Sequence, residues 1–182
     1  FPNKLWSKLH NKVMTNQINF GGYPNKQGEL PLRIEISKYL SHNRGVHCHP
    51  EQIIVSSGFA DCMFIVASLL KSFTSKLAIE FPGYNVVKQV FKQFDYSIEN
   101  IPINSNGISL KDLKASQCKL LYVTPSHRYP TGVTMPIANR FKRIQWATQN
   151  NAYIIEDDYD SELSYNNRPS PALQGIKNNN CV

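Results

Sequence analysis

The run Tyr153-Ile154-Ile155-Glu156-Asp157-Asp158-Tyr159-Asp160-Ser161-Glu162 sets an apolar, strand-like stretch directly against a cluster of carboxylates and a phenol. Open α/β sheets bind their ligands where strands end. Carboxylates that follow a buried strand are costly to bury unpaired, because such groups protonate or are excluded from the interior. The segment therefore implies either a cationic group held at a strand end or a solvated loop. One suited cation is the protonated ring nitrogen of pyridoxal phosphate, which a carboxylate keeps charged so that the ring can act as an electron sink.

Three other loops leave strand-like stretches and could converge on the same crevice: Ser56 to Asp61, Phe81 to Tyr84, and Thr124 to Gly132. Ser57-Gly58-Phe59-Ala60 opens a helix, and free amides at a helix N-terminus attract phosphate. The same residues are equally those of a plain helix cap. Tyr84, after Pro82-Gly83, could stack on a flat ring or simply join the core.

The elements that must position these loops alternate along the chain. Leu77-Ala78-Ile79-Glu80, Lys119-Leu120-Leu121-Tyr122-Val123 and Tyr153 to Glu156 read as strands, and so does Gln52-Ile53-Ile54-Val55. Between them, Ala60 to Lys71, Val86 to Phe94 and Pro136 to Gln149 read as helices, the last with proline in its first turn. Leu32 to Leu40 has a mixed amphipathic pattern that predicts a further helix, and a short one surrounds Trp6, with Trp6 and His10 expected to pack. Turn formers crowd Asn19 to Asn25. Repeated strand-loop-helix units predict an α/β fold of three α/β/α layers around a mostly parallel, mixed sheet.

Composition narrows the classes. A chain of 182 residues with 41% apolar residues and 11% aromatics can bury the core of one domain. It has no apolar run of membrane-span length, and Phe1 to Trp6 lacks the pattern of a secretion signal. Cys48, Cys62, Cys118 and Cys181 are widely spaced, which suggests neither a disulfide frame nor a zinc site and fits a reducing cytoplasm. His42, His47, Cys48 and His49 lack a second anchoring pair and read as a surface turn rather than a metal site. The net charge of +7 is scattered singly among apolar residues, as on solvated helix faces, not gathered as in a nucleic-acid groove.

Thr124-Pro125-Ser126-His127-Arg128-Tyr129-Pro130-Thr131-Gly132, Glu156 to Glu162 and Arg168-Pro169-Ser170-Pro171-Ala172-Leu173-Gln174-Gly175 occur in this order. With Pro31-Leu32-Arg33, Arg44-Gly45-Val46 and Pro50 to Gly58, they make the chain resemble the aminotransferase-like domain of MocR-type regulators of the GntR family. Through it the chain is similar to the fold-type I, pyridoxal-phosphate-dependent aminotransferases of class I/II. The likeness runs nearly end to end and implies an incomplete large domain of that fold, over residues 1–182. An N-terminal winged helix-turn-helix and a C-terminal small domain are expected outside it.

The resemblance implies roles by position. Asp157 resembles the carboxylate paired with the pyridine nitrogen, with Asp158 the alternative if the register is off by one. Tyr159 resembles the phenol bonded to the ring oxygen, and Tyr84 the stacking aromatic. Phe59 and Ala60 resemble the phosphate-binding helix start, and His127 lies in the loop beside the ring. Asp61, where the family usually has glutamine, is expected to weaken the phosphate seat. Arg128, also in place of glutamine, is expected to return a positive charge nearby. Tyr129 precedes Pro130 as in the MocR branch, so the asparagine contact of many aminotransferases is not implied. No lysine here matches the family's imine-forming lysine, which relatives carry after the Pro-Ala-Leu-Gln segment, so the chain alone is expected to be catalytically inactive. For the intact parent, the resemblance implies a homodimer that senses pyridoxal phosphate, an amine or an amino acid, and contacts DNA through its N-terminal domain. The alternatives are a working transaminase and an inactive truncated product.

Overall fold

The computed structural model describes residues 1–15, 21–104, 107–163 and 170–176. Asn19, Phe20, Arg168, Pro169 and Cys181, used above, lie outside them.

Five strands form one sheet: β1 (Lys76–Phe81), β2 (Ser97–Asn104), β3 (Gly107–Ile108), β4 (Leu120–Val123) and β5 (Tyr153–Glu156). Their order is β3-β2-β1-β4-β5. All neighbours are parallel except the short hairpin of β2 with β3. The chain lays β2 on one side of β1 and then crosses to place β4 and β5 on the other. The switch in direction opens a crevice beyond the carboxyl ends of β1 and β4, where ligands of such sheets bind.

Period-two alternation divides the core between the two sheet faces. Leu77, Ile79, Leu120, Tyr122 and Ile155 face α3 (Phe59–Leu70) and α4 (Asn85–Gln93), and pack on Met63, Ala67, Val87, Val90 and Phe91. Ala78, Leu121, Val123 and Ile154 face the other way, onto residues of α5 (Leu110–Ala115), α6 (Ile137–Asn150) and α7 (Leu173–Ile176), among them Leu113, Ile144, Ala147 and Leu173. The mixed α/β/α layering agrees with the sequence reading.

Two expectations change. α1 (Asn3–Thr15) forms around Trp6, but none of its residues is buried and Trp6 is 61% exposed. Trp6 and His10 are surface residues, because no described element covers this helix. Gln52 to Val55 is not a sheet strand either. Pro50–Gln52 is a 3-10 turn, and Ile53 to Val55 pair with no strand among the described residues. The Val55 N–H bonds instead to the carbonyl of Gln27 at 2.8 Å.

α2 (Leu30–Arg44) ends in a left-handed glycine cap. Gly45, at φ 66°, donates to Ser41, and Val46 donates to Leu40. The left-handed turn favours glycine and fixes the last helical residue, Arg44. α7 then crosses so closely that a Cβ on Gly175 would lie 2.5 Å from the Gly45 carbonyl oxygen.

Candidate functional site

Beyond the carboxyl ends of β1, β4 and β5 lies a cavity of about 300 Å³ lined by Phe59, Tyr84, Thr124, Tyr129, Asp157 and Tyr159. Four of these were expected from the sequence: Phe59, Tyr84, Asp157 and Tyr159. The Tyr84 ring meets those of Phe59 and Tyr129 edge-on, with centroids 5.3 and 5.5 Å away, so the wall is largely aromatic.

Asp157 continues the face of Ile155, on the same side of the sheet as Tyr122. Its N–H bonds to the Val123 carbonyl, and its carboxylate accepts a short hydrogen bond from the Tyr122 hydroxyl. Burial raises its pKa; the Tyr122 bond opposes the rise and the charges of Asp158 and Asp160 add to it. Tyr122 itself is pushed far up, first by burial and then by Asp157, so it remains a donor. A carboxylate so placed gains from a cationic partner in the cavity.

At the opposite wall, α3 begins after Gly58, and no side chain caps it. The amides of Phe59 and Ala60 belong to a first turn that has no intrahelical acceptors. Ala60 is exposed and does not line the cavity, so its contribution to an anion would be its backbone alone. Asp61 accepts from both the N–H and the hydroxyl of Ser57, at 3.1 and 3.0 Å, and so tightens the turn before the helix.

His127 also stands off the cavity wall. Its ring stacks on Tyr159, with centroids 5.9 Å apart and planes 13° from parallel, and its Nδ1 pairs with Asp160. The Tyr159 hydroxyl donates to the His127 carbonyl at 2.8 Å, so donation to a ligand oxygen requires that bond to break. Arg128 brings no charge to the cavity. It is buried, donates to the Asn104 carbonyl and lies 3.6 Å from Glu80.

Sequence reasoning missed Thr124, Tyr129 and Tyr122. Thr124 gives its N–H and hydroxyl to buried Glu80 and receives the Tyr129 N–H, so β1 and the loop after β4 are joined at the cavity. The signal was a glutamate inside an apolar strand, which has to find donors nearby.

Glu156 and Asp158 point to the other side of the sheet. Glu156 accepts from the Leu173 N–H at 2.7 Å and lies 3.8 and 3.9 Å from the guanidinium groups of Arg44 and Arg140. Burial outweighs these partners and lifts its pKa to about 6, from an ordinary 4.5. The folded chain thus holds this proton more tightly than the unfolded one. The resulting stabilisation is complete below pH 4.5 and is lost as pH rises through about 6. Urea unfolding from pH 4 to 7 is expected to show a Glu156 contribution falling by about 2 kcal/mol, absent in Glu156→Gln. Unchanged pH dependence in that variant would contradict the assignment.

A family model described as aminotransferase class I and II matches residues 5–173. The chain belongs to this family. Among sequence relatives of this class I and II member, the uncharacterised HTH-type transcriptional regulator YdeL of Bacillus subtilis is 36% identical over the whole chain and 39% of its own length. The probable rhizopine catabolism regulatory protein MocR of Rhizobium meliloti is 33% identical over 97% of the chain and 36% of its own length. The chain thus spans well under half the length of these curated relatives. A kynurenine aminotransferase of Pyrococcus horikoshii, solved in complex with PMP, superposes with a TM-score of 0.88. It is 21% identical over all of this chain and 48% of that one, a likeness that shows the shared aminotransferase fold.

Proposed function

We propose that this chain is the pyridoxal-phosphate-binding domain of a GntR/MocR-type transcriptional regulator, in which it senses the cofactor or an amine. The observation that carries the reading is the placement of Asp157, partly buried and short of positive charge, in one aromatic-walled cavity with Tyr84 and with the uncapped start of α3. These residues fit the group. Asp157 would hold the ring nitrogen, Tyr84 the ring face, and the amides of Phe59 and Ala60 the phosphate. When bound, pyridoxal phosphate supplies an aldehyde that captures amines and a ring that draws off electrons.

The chain's own residues prepare that chemistry. Tyr122 orients Asp157 by donating to it, Asp157 keeps a proton on the ring nitrogen, and Tyr84, Phe59 and Tyr129 exclude water from the ring. Tyr159 can donate to a ring oxygen once it leaves the His127 carbonyl. In the intact parent we place DNA contact in an N-terminal domain, a homodimeric state, a cytoplasmic setting and a small amine or amino acid as effector. The regulator reading is preferred because YdeL and MocR, each above 30% identity, are regulators by name. A transaminase parent is the second reading, favoured by the fold shared with the kynurenine aminotransferase.

An absorbance titration separates the phosphate seat from the ring site. Pyridoxal phosphate is expected to bind saturably and pyridoxal about tenfold more weakly, as for the loss of one or more hydrogen bonds to a charged group. Equal affinity for the two would remove the helix start from the site.

A further inference from the structure

We propose that Arg44 is a positioning residue for this cavity, holding from the far side of the sheet the two loops that form it. The proposal rests on the pyridoxal reading of the cavity. Arg44 is the last residue of α2 and is only 4% exposed, yet it does not line the cavity itself. Its Nε lies 2.9 Å from Asp158 Oδ2, its Nη2 donates to Ser126 Oγ at 2.7 Å, and Nη2 stands 3.8 Å from Glu156. Ser126 belongs to the loop that supplies Thr124 and Tyr129. Asp158 sits between Asp157 and Tyr159. One guanidinium therefore fixes both loops.

The base of the side chain is equally fixed. The left-handed cap at Gly45 sets the end of α2, and the Arg44 carbonyl accepts from Ala172 N–H at 2.9 Å. The planar fork reaches Asp158 and Ser126 through two separate nitrogens, Nε and Nη2, whereas a lysine would have to serve both from one. Arg44 also offsets the charge of Asp158, which adds to the upward pull on Asp157. Without it, that charge favours the protonated, neutral form of Asp157, which no longer pairs with a cation.

The test compares pyridoxal phosphate binding by the full chain with Arg44→Met, Arg44→Lys, Ser126→Ala, Asp158→Asn and Arg44→Met/Asp158→Asn. Affinity, the absorption maximum of the bound ligand and thermal unfolding are followed together. Arg44→Met is expected to bind about tenfold more weakly, the scale of one charge-assisted hydrogen bond, and to shift the absorption maximum. A purely structural arginine would lower the melting temperature and leave that maximum in place. Arg44→Lys is expected not to rescue. The double variant should bind no more weakly than Arg44→Met, since Asp158 is one of the groups through which Arg44 acts.

A cooperatively folding Arg44→Met that binds within about twofold of the parent chain, well short of one such bond, overturns the proposal. Should Arg44→Met not fold, Ser126→Ala removes one contact, Asp158→Asn removes the charge of the other, and each is expected to bind about threefold more weakly, a fraction of such a bond. Unchanged binding in both then overturns it. Failure of the pyridoxal reading looks different: binding would be indifferent to Asp157→Ala as well.

Discussion

Asp157→Ala is expected to weaken pyridoxal phosphate binding roughly ten- to hundredfold, and Asp158→Ala far less, because a hydrogen bond to a charged group is worth about 1.5–3 kcal/mol. The two carboxylates are neighbours in sequence and opposites in space. Asp157 lines the cavity with Tyr122 behind it, whereas Asp158 is turned to Arg44 and receives the Ser161 hydroxyl. Only Asp157 can meet a cation in the cavity, and the loss of Asp158 reaches the ligand through Arg44 alone. Titration of both variants by absorbance checks the order. If Asp158→Ala were the more damaged, the roles assigned at this strand end would be displaced by one residue, and Tyr159 with them.

The largest stability effect is expected at Arg140. Its side chain is fully buried and donates to the carbonyls of Met135, Pro171 and Pro125, which belong to the loop after β4 and the segment before α7. It also stands 3.9 Å from Glu156. Burial pulls the Arg140 pKa below its ordinary value, while the charge of Glu156 holds it up. Arg140→Ala leaves three backbone acceptors without these bonds, those of Met135 and Pro125 buried, and a carboxylate with one guanidinium fewer. Breaking a buried pair of this kind costs about 3–5 kcal/mol. Urea denaturation at pH 7 is expected to show a loss on that scale, and a smaller one at pH 5, where Glu156 is largely protonated. A loss under about 1 kcal/mol, the scale of surface pairs, would mean that Arg140 is not a load carrier in this fold.

The strands β1, β4 and β5 were legible because four-residue apolar runs ended by turn formers admit few other readings. The acidic strand end was legible because carboxylates do not follow a buried strand without cause. Gln52 to Val55 has the same local appearance as β5, but a strand also needs a neighbour, and the described residues provide none. Trp6 failed as a packing residue for a related reason: an amphipathic pattern states which face could be covered, not what covers it. Ser97–Asn104 escaped notice as β2 because polar residues interrupt its isoleucines.

At the site, Tyr84, Asp157 and Tyr159 were found from strand ends and family likeness, and the cavity gathers them. Tyr122, Thr124, Arg44 and Arg140 were not, since each acts through partners remote in sequence. Arg128 was expected to serve the cavity because it lies in the right loop. Its side chain turns to buried Glu80, a direction set by a charge on another strand.

The cavity between Phe59, Tyr84 and Asp157 is the place proposed for pyridoxal phosphate. Amide chemical shifts of the ¹⁵N-labelled chain, followed during a pyridoxal phosphate titration, locate the ligand residue by residue and tolerate weak binding. The expected result is one saturable process in which the amides of Phe59, Ala60, Thr124 and Asp157 move most, with pyridoxal sparing the first two. Shifts confined to residues away from this cavity, or a response at Asp157 no larger than that along α1, would contradict it.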